Sequence, residues 1–475
     1  MLVALAVLVA FLLVILIRTL LFTPKDNVAV DNEVIEFDKQ KATSNLQELV
    51  KCKTISYHDK SLENDGEFEK LISLLPSLYP NVFDACTLTR LDDRALLFKW
   101  QGQNDGEPAV LMAHYDVVPV DESGWQKDAF SAVIEDGVMW GRGTLDTKVT
   151  FNGILSAANE LIAKGFAPQN DVYFAFSGGE EVNGKGAKNI VEWFYERNIT
   201  PSMVLDEGGA VVENVFPGVK APCAVIGIAE KGLLNVKYSV ASSGGHASAP
   251  KPNAPVDRLS KACVRVIKKP FKSHLTLPVA KMFDTLGRHS SFIYRLIFAN
   301  LWVFKPVLDM ICKKSGGELN ALMRTTVAFT QMSGSPAPNV IPPSASMVSN
   351  IRLNPCDTVD SAVEYLKKVI NDDGVEITTA DGTNPSRIST TDCDGYNKIA
   401  TAVASTWRGS IVTPYLMVQC SDSRHYGKIS DRVYRFSAMD LTADERATIH
   451  GHNERIRLET LYRSVEFFIR VIKKL

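Results

Sequence analysis

The chain has 475 residues, room for two or three domains and a sizeable core. Its 52 Lys and Arg against 54 Asp and Glu leave a net charge of -2, without the basic excess of a nucleic-acid binder. The eight cysteines are dispersed with no C-x-x-C pair, so they make neither a disulfide scaffold nor a thiolate zinc site. Buried free thiols fit, and an oxidising compartment would permit one or two disulfides.

Residues 2–17 are unbroken apolar, followed by Arg18, a short apolar run and Pro24. Sixteen residues fall short of the ~20 that span a bilayer, but residues 2–22 reach it if Arg18 snorkels. A lone Met as n-region and no clear A-x-A site favour an uncleaved signal anchor over a cleaved signal peptide. Both routes lead into the endomembrane system: a membrane-anchored protein of a vacuole or lysosome-like compartment, or a secreted one if residues 1–22 are removed. The sequon Asn198-Ile199-Thr200 is weakly consistent with either.

Residues 23–40 read as a polar linker. Strand and helix signals then alternate: strand 108–118, helix 152–166, strand 171–181, strand 202–209. Buried apolar strands alternating with helices predict an α/β fold with a mostly parallel sheet. From residue 230 the order becomes strand 233–242, helix 256–268, strands 325–332 and 346–353, helix 359–371, strand 375–380. That β-α-β-β-α-β order predicts an inserted ferredoxin-like α+β unit. The expected division is 1–22 leader, 23–229 catalytic domain, 230–380 inserted lid or dimerisation domain, and 381–475 the rest of the catalytic domain. Inside the insertion, the apolar run FIYRLIFANLWVFKPVLDMI reads first as a packing helix. A dimer surface, a membrane contact and an apolar substrate channel are its sharper readings.

The acids and histidines gather where strands end. His114-x-Asp116 follows VLMA, Asp146 sits in GRGTLDTK, Glu180-Glu181 in SGGEE and Asp206 in LDEGG. Carboxyl ends of strands in an open α/β sheet are where such folds place ligands. Converging acids raise each other's pKa unless a cation joins them. Imidazole nitrogen and carboxylate oxygen are zinc donors, and a shared carboxylate suits a two-metal site. Asp116 is placed to orient the His114 ring, and Glu180 to move protons beside a ligand, Glu181.

With AHYDVVP, GRGTLDTK, SGGEEVNG, LDEGG, SGGHAS, PNVIPP with NIRL, SDSRHYG and IHGHNERI in order over residues 110–456, the chain resembles a zinc metallopeptidase family. That family contains carboxypeptidase S, aminoacylase and bacterial glutamate carboxypeptidase and dipeptidase enzymes. The resemblance is strongest to the carboxypeptidase S branch, which includes enzymes that form and hydrolyse N-fatty-acyl amino acids. It implies two Zn2+, with other divalent metals accepted: His114 and Asp206 on one, Glu181 and His450 on the other, Asp146 bridging. The motif register selects His450, with His452 as near rival. The resemblance further implies Glu180 as general base, Asp116 as orienter and His246 as oxyanion stabiliser, the last across a homodimer interface in dimeric members. Asn339, Arg352 and Arg424 would contact substrate, an arginine fork suiting a free carboxylate; surface ion pairing is the equal alternative for the two arginines. His58, His274, His289 and His425 read as structural or surface residues, and Arg142 and Lys148 as supports of the Asp146 loop.

The expected function is hydrolysis of an amide next to a free carboxylate, in a small peptide or an N-acyl amino acid. The alternatives are N-fatty-acyl amino acid synthesis and hydrolysis as the main role, or a catalytically silent metal- or ligand-binding relative. Since Glu180 and every ligand position are filled, the silent reading carries little weight.

Overall fold

A computed structural model describes residues 1–25, 28–213, 216 and 218–475. The central sheet has eight strands in the order Cys86–Leu91, Ala95–Trp100, Val172–Ser177, Ala109–His114, Met203–Val212, Val433–Leu441, Cys223–Glu230, Ile411–Met417. Ala109–His114 pairs in parallel with both neighbours, as Val433–Leu441 does with Met203–Val212 and Ile411–Met417 with Cys223–Glu230. The first two strands form an antiparallel edge that the sequence reading missed. The central strands Ala109–His114 and Val172–Ser177 are buried at every position, which is why they read as continuous apolar runs. Helices Lys148–Ala163 and Leu458–Ile472 share one large core with one face of the sheet. Ile190, Val191 and Phe194 of helix Gly186–Glu196 pack on the other. The fold is therefore the expected α/β sheet covered on both faces.

The second sheet has four strands in the order Thr326–Ser333, Ser344–Leu353, Gly232–Ala241, Glu376–Thr383, all antiparallel. Gly232–Ala241 alternates buried and open positions, the period-2 signal of its sequence. Helices Pro255–Lys268 and Val359–Ile370 share a core with this sheet through Leu259, Ala262, Val266, Leu366 and Val369. Strand order and helix placement are those of a ferredoxin-like unit. The chains entering and leaving it run side by side. Ser386 N–H donates to Glu230 O (3.2 Å), and Glu230 N–H to Ser386 Oγ (2.9 Å). At Gly232 an added Cβ would lie 2.4 Å from Thr383 O, so only glycine allows this approach.

The apolar run within the insertion is not one packing helix. Residues 277–323 form four: Leu277–His289, Phe292–Ala299, Leu301–Ser315 and Gly317–Met323. Asn300 divides the run into two of these helices, and Ser290-Ser291 and the positive-φ pair Gly316-Gly317 mark the breaks on either side of it. Their inner residues Val279, Phe283, Leu286, Phe298 and Leu308 join a separate core with the strand Ile411–Met417. Helix Leu2–Leu21 lies against this group, burying Ile15 and Thr19. All eight cysteines are free thiols.

Two buried charges hold the sheet centre. Arg435 Nε donates to Glu230 Oε2 at 2.9 Å, each side chain 1% exposed. The same oxygen accepts from Ser421 N–H (3.1 Å) and Ser421 Oγ (3.2 Å), tying down the loop that carries Asp422 and Arg424. Removing one member of such a pair strands the other in low dielectric. Arg435→Met is expected to lower the unfolding free energy by about 3–5 kcal/mol, read from the denaturant midpoint, and Glu230→Leu/Arg435→Met to recover part of that loss.

Candidate metal centre

His114 is the last residue of its strand and is 2% exposed. Its Nε2 lies 3.0 Å from Asp146 Oδ1 and 3.3 Å from Glu207 Oε1. The other Asp146 oxygen lies 3.0 Å from His450 Nε2, which is 3.1 Å from Glu181 Oε2. Asp146 thus stands between two imidazoles, with an acid beside each. His114, Asp146 and Glu181 offer donor atoms within 4.8 Å of one another, as do His114, Glu180 and Glu207. Glu181 Oε1 is buried without a hydrogen-bond partner. Nitrogen and oxygen donors with an unspent carboxylate oxygen fit divalent ions.

Without a cation the charges conflict. Burial, with Asp146 close by, pushes Glu181 up to about 7 and Glu207 up to about 8. Glu180 is raised well above the carboxylate range by burial, against the pull of His114 and with Asp422, Glu207 and Glu181 adding repulsion. The histidines respond in kind. Bonds to Asp146 and Glu181 raise His450 to about 10. Burial would lower His114, but Glu207, Asp116 and Asp146 outweigh it and hold it well above its usual value.

The loop bearing Asp146 is fixed from a distance. Glu454 Oε1 accepts backbone N–H bonds from Gly143 (3.0 Å), Leu145 (2.7 Å) and Asp146 (3.2 Å), while its Oε2 takes Arg142 Nη1 at 2.7 Å. Lys148 Nζ donates to Leu49 O (3.0 Å) and Cys52 O (2.7 Å), anchoring the following helix. The Asp116 carboxylate accepts from Glu180 N–H (3.1 Å) and Glu181 N–H (3.2 Å), so it sets the turn carrying both acids. For the His114 ring the nearer acceptor is the Asp116 backbone carbonyl, 3.0 Å from Nδ1, the carboxylate standing at 3.4 Å. The ring orientation expected of the Asp116 side chain therefore comes mainly from its main chain.

One expected ligand lies elsewhere. Asp206 is buried but turned away, its Oδ2 accepting Ser423 N–H at 2.9 Å, and Glu207 takes the place beside His114. The cause is a bulge. Asp206 pairs with Arg435 and Gly209 with Phe436, leaving Glu207 and Gly208 unpaired. Such an insertion re-aims a side chain. Gly208 has φ 141°, and a Cβ on Gly209 would fall 1.8 Å from Val225 O, so both glycines of LDEGG are needed there. His450 sits at φ 59° in its turn and meets the cluster; His452 instead lies against Gly124.

The remaining expected residues are not among the clustered donors, though Arg424 lies close enough to Glu180 to feel its charge. His246 and Asn339 are exposed, next to each other on the ribbon that pairs Gly245–His246 with Val340–Ile341. Arg352 Nη1 reaches Cys420 Sγ (3.4 Å), and Arg424 donates to Ser421 O (3.1 Å) and Asn183 Oδ1 (3.0 Å). Residues missed in the sequence are Glu207, Glu454 and the buried Asp422, which burial pushes up to about 6. Glu207 adjoins Asp206, and Glu454 closes the His450 motif, so the signal for both was present.

A cavity of ≈ 680 Å³ opens from this cluster. Asp146, Glu180, Glu181, Glu207 and His450 form one wall, and Val212, Phe216, Met282, Leu286, Leu322 and Met417 are among its apolar lining. Glu318 and Arg446 add a polar patch, with Tyr415 Oη donating to Glu318 at 2.7 Å.

Comparison with known proteins points to one family. The model of Peptidase family M20/M25/M40 fits residues 110–474. A probable carboxypeptidase S-like protein 2 of Dictyostelium discoideum is 32% identical over 98% of this chain and 92% of its own length. The N-fatty-acyl-amino acid synthase/hydrolase PM20D1 of Xenopus tropicalis is 32% identical over 98% of this chain and 93% of its own. An M20 family metallo-carboxypeptidase from Sulfolobus solfataricus has the same fold at TM-score 0.65 and 18% identity, covering 91% of this chain and 98% of its own. The ordered acids and histidines, the fold around them and the length of the match give one reading: the chain belongs to the M20/M25/M40 peptidase family.

Proposed function

We propose that the chain is a di-zinc amidohydrolase that cleaves the amide of N-acyl amino acids or small peptides bearing a free carboxylate. The observation that carries this is Asp146 set between His114 and His450, each with its own acid, and Glu180 beside them. The ligand set is His114 with Glu207, His450 with Glu181, and Asp146 shared; Glu207 replaces the Asp206 expected from sequence. Two divalent ions bound there would polarise the scissile carbonyl and make water acidic enough to attack at neutral pH. Zinc suits these donors, and cobalt or manganese would also be held.

Glu180 has a raised proton affinity and no backbone duty of its own, which suits a group that takes a proton from the attacking water and hands it to the leaving nitrogen. Asp116 keeps Glu180 in place through its backbone. Condensation of an acid with an amine is the reverse of the same path, so substrate supply sets the direction. The exposure of His246 and Asn339 outside the cavity supports a homodimer in which they complete a second copy's site. Arg352 and Arg424 flank the Cys420 loop as candidates for the substrate carboxylate.

Between peptide and N-acyl substrates, the apolar lining favours the acyl class, in line with the name of the Xenopus relative. Helix Leu2–Leu21 is long and apolar enough to cross a membrane, and its packed contacts support a retained anchor in an endomembrane compartment over a cleaved leader.

Metal analysis of the full chain is expected to find two ions. His450→Ala or Glu207→Ala should leave about one, while His452→Ala and Asp206→Asn retain both. Glu180→Gln should keep both metals and lose about 10²–10⁴-fold in kcat; equal turnover in that variant rules out the assigned base. Across N-acyl amino acids of rising chain length, kcat/KM should climb by up to about fourfold per added methylene, about 0.8 kcal/mol each, until the cavity is full. A flat series transfers the assignment to peptides.

A further inference from the structure

The four helices of residues 277–323 have an inner and an outer side. Inside, Phe298 packs on Phe216 and Phe283, each pair 5.1 Å between ring centres, and Phe216 lines the cavity. Outside, Phe292, Ile293, Trp302 and Met310 are 50%, 73%, 58% and 61% exposed. Val307 and Ile311, 37% and 38% exposed, add to the open apolar surface of the same helix. A patch of this kind marks an interaction surface.

Its position against the N-terminal helix identifies what covers it. Asn300 Nδ2 donates to Ile15 O (3.2 Å) and Thr19 Oγ (3.1 Å), and Arg18 donates to Ala299 O through Nε (3.2 Å) and Nη2 (3.0 Å). Trp302 meets Phe11 edge to face at 5.7 Å. Residues 11, 15, 18 and 19 share one face of the helix, so the contact is a continuous seam. Phe11 is ten residues from Leu21, about 15 Å along the axis at 1.5 Å per residue. The hydrocarbon core is about 30 Å thick. If Leu2–Leu21 crosses it, Trp302 lies near the middle of the bilayer, and the helices carrying Phe292, Ile293 and Met310 share its leaflet. Lys313 and Lys314 are exposed at the far end of the same helix, where their long stems allow the ammonium groups to reach headgroups.

We propose that helices Phe292–Ala299 and Leu301–Ser315 are sunk in the leaflet that Leu2–Leu21 enters, and that long-chain N-acyl amino acids reach the cavity from lipid. The second half rests on the acyl reading of the function. Phe216, which lines the cavity, packs on Phe298 of the helix that carries the exposed Phe292 and Ile293. A substrate whose chain is already dissolved in the bilayer therefore need not cross water.

The test uses the full chain in phosphatidylcholine vesicles. Lipids brominated at mid-chain should quench the fluorescence of the wild type more than that of Trp302→Phe; equal quenching overturns the embedding. For access, Ile293→Glu/Met310→Glu is compared with Ile293→Leu/Met310→Leu. On vesicle-borne N-palmitoylalanine the glutamate pair should lose at least tenfold in rate, with the water-soluble N-hexanoylalanine rate held within about twofold and the leucine pair like wild type. Equal losses on both substrates, or none on either, overturn access from lipid. If the wild type cleaves neither substrate, the acyl reading and the access built on it fall together, while the quenching result still decides the embedding. Self-association through this face, seen as a dimer in detergent that the glutamate pair dissolves, with equal quenching, assigns the patch to a second copy and overturns the proposal.

Discussion

Everything at the centre of this molecule follows from bringing more negative charge into one buried place than two histidines can balance. Asp146, Glu180, Glu181 and Glu207 converge on His114 and His450, and the carboxylates with raised proton affinity record the strain of that choice. A fold that only needed stability would not collect these groups, since burying charge is costly unless it is paired. The sheet tolerates them because each is held by main chain. A strand end carries His114, a turn gripped by Asp116 carries Glu180 and Glu181, a bulge carries Glu207, and a loop gripped by Glu454 carries Asp146. Cation binding then relieves a conflict that folding has already assembled.

The acids divide into two kinds. Asp146, Glu181 and Glu207, which face the centre, meet imidazoles and not backbone, and Glu181 keeps an unspent oxygen. Those one step out are saturated by backbone N–H groups: Asp116 by the Glu180 turn, Glu454 by the Asp146 loop, Asp206 by Ser423. The outer acids fix geometry and the inner ones are left free to bind. The same separation recurs lower in the sheet, where Glu230 is paired with Arg435 and serves the Ser421 loop.

Much of this was legible in sequence because parallel strands announce themselves. The apolar runs ending in His114 and before Glu180 fix both the sheet and the edge where chemistry gathers. The order of strands and helices from 232 to 383 is equally readable, since local periodicity carries it. What local pattern does not carry is a change of facing. In an unbroken strand Asp206 and Glu207 point to opposite faces, and which one turns inward depends on a bulge against a strand more than two hundred residues away. Glu454 is hidden for a related reason, being 308 residues from the N–H of Asp146 that it holds. The run at 292–311 reads as one helix because its apolar composition continues across Asn300, where the chain turns between two helices.

The crossing of chains at Glu230 and Ser386 has a mechanical consequence. Two adjacent strands of backbone, bonded to each other, are the connection between the four-stranded sheet and the catalytic sheet at this point. A doubled connection restrains relative twisting of the two units more than a single strand would. Beside it stands Lys231, whose Nζ is fastened to Ala321 O (2.9 Å) and Arg324 O (2.8 Å). A rotation there would part Arg352 from Cys420 and move His246 with the four-stranded unit, while His114, Asp146, Glu181, Glu207 and His450 would all stay with the catalytic sheet.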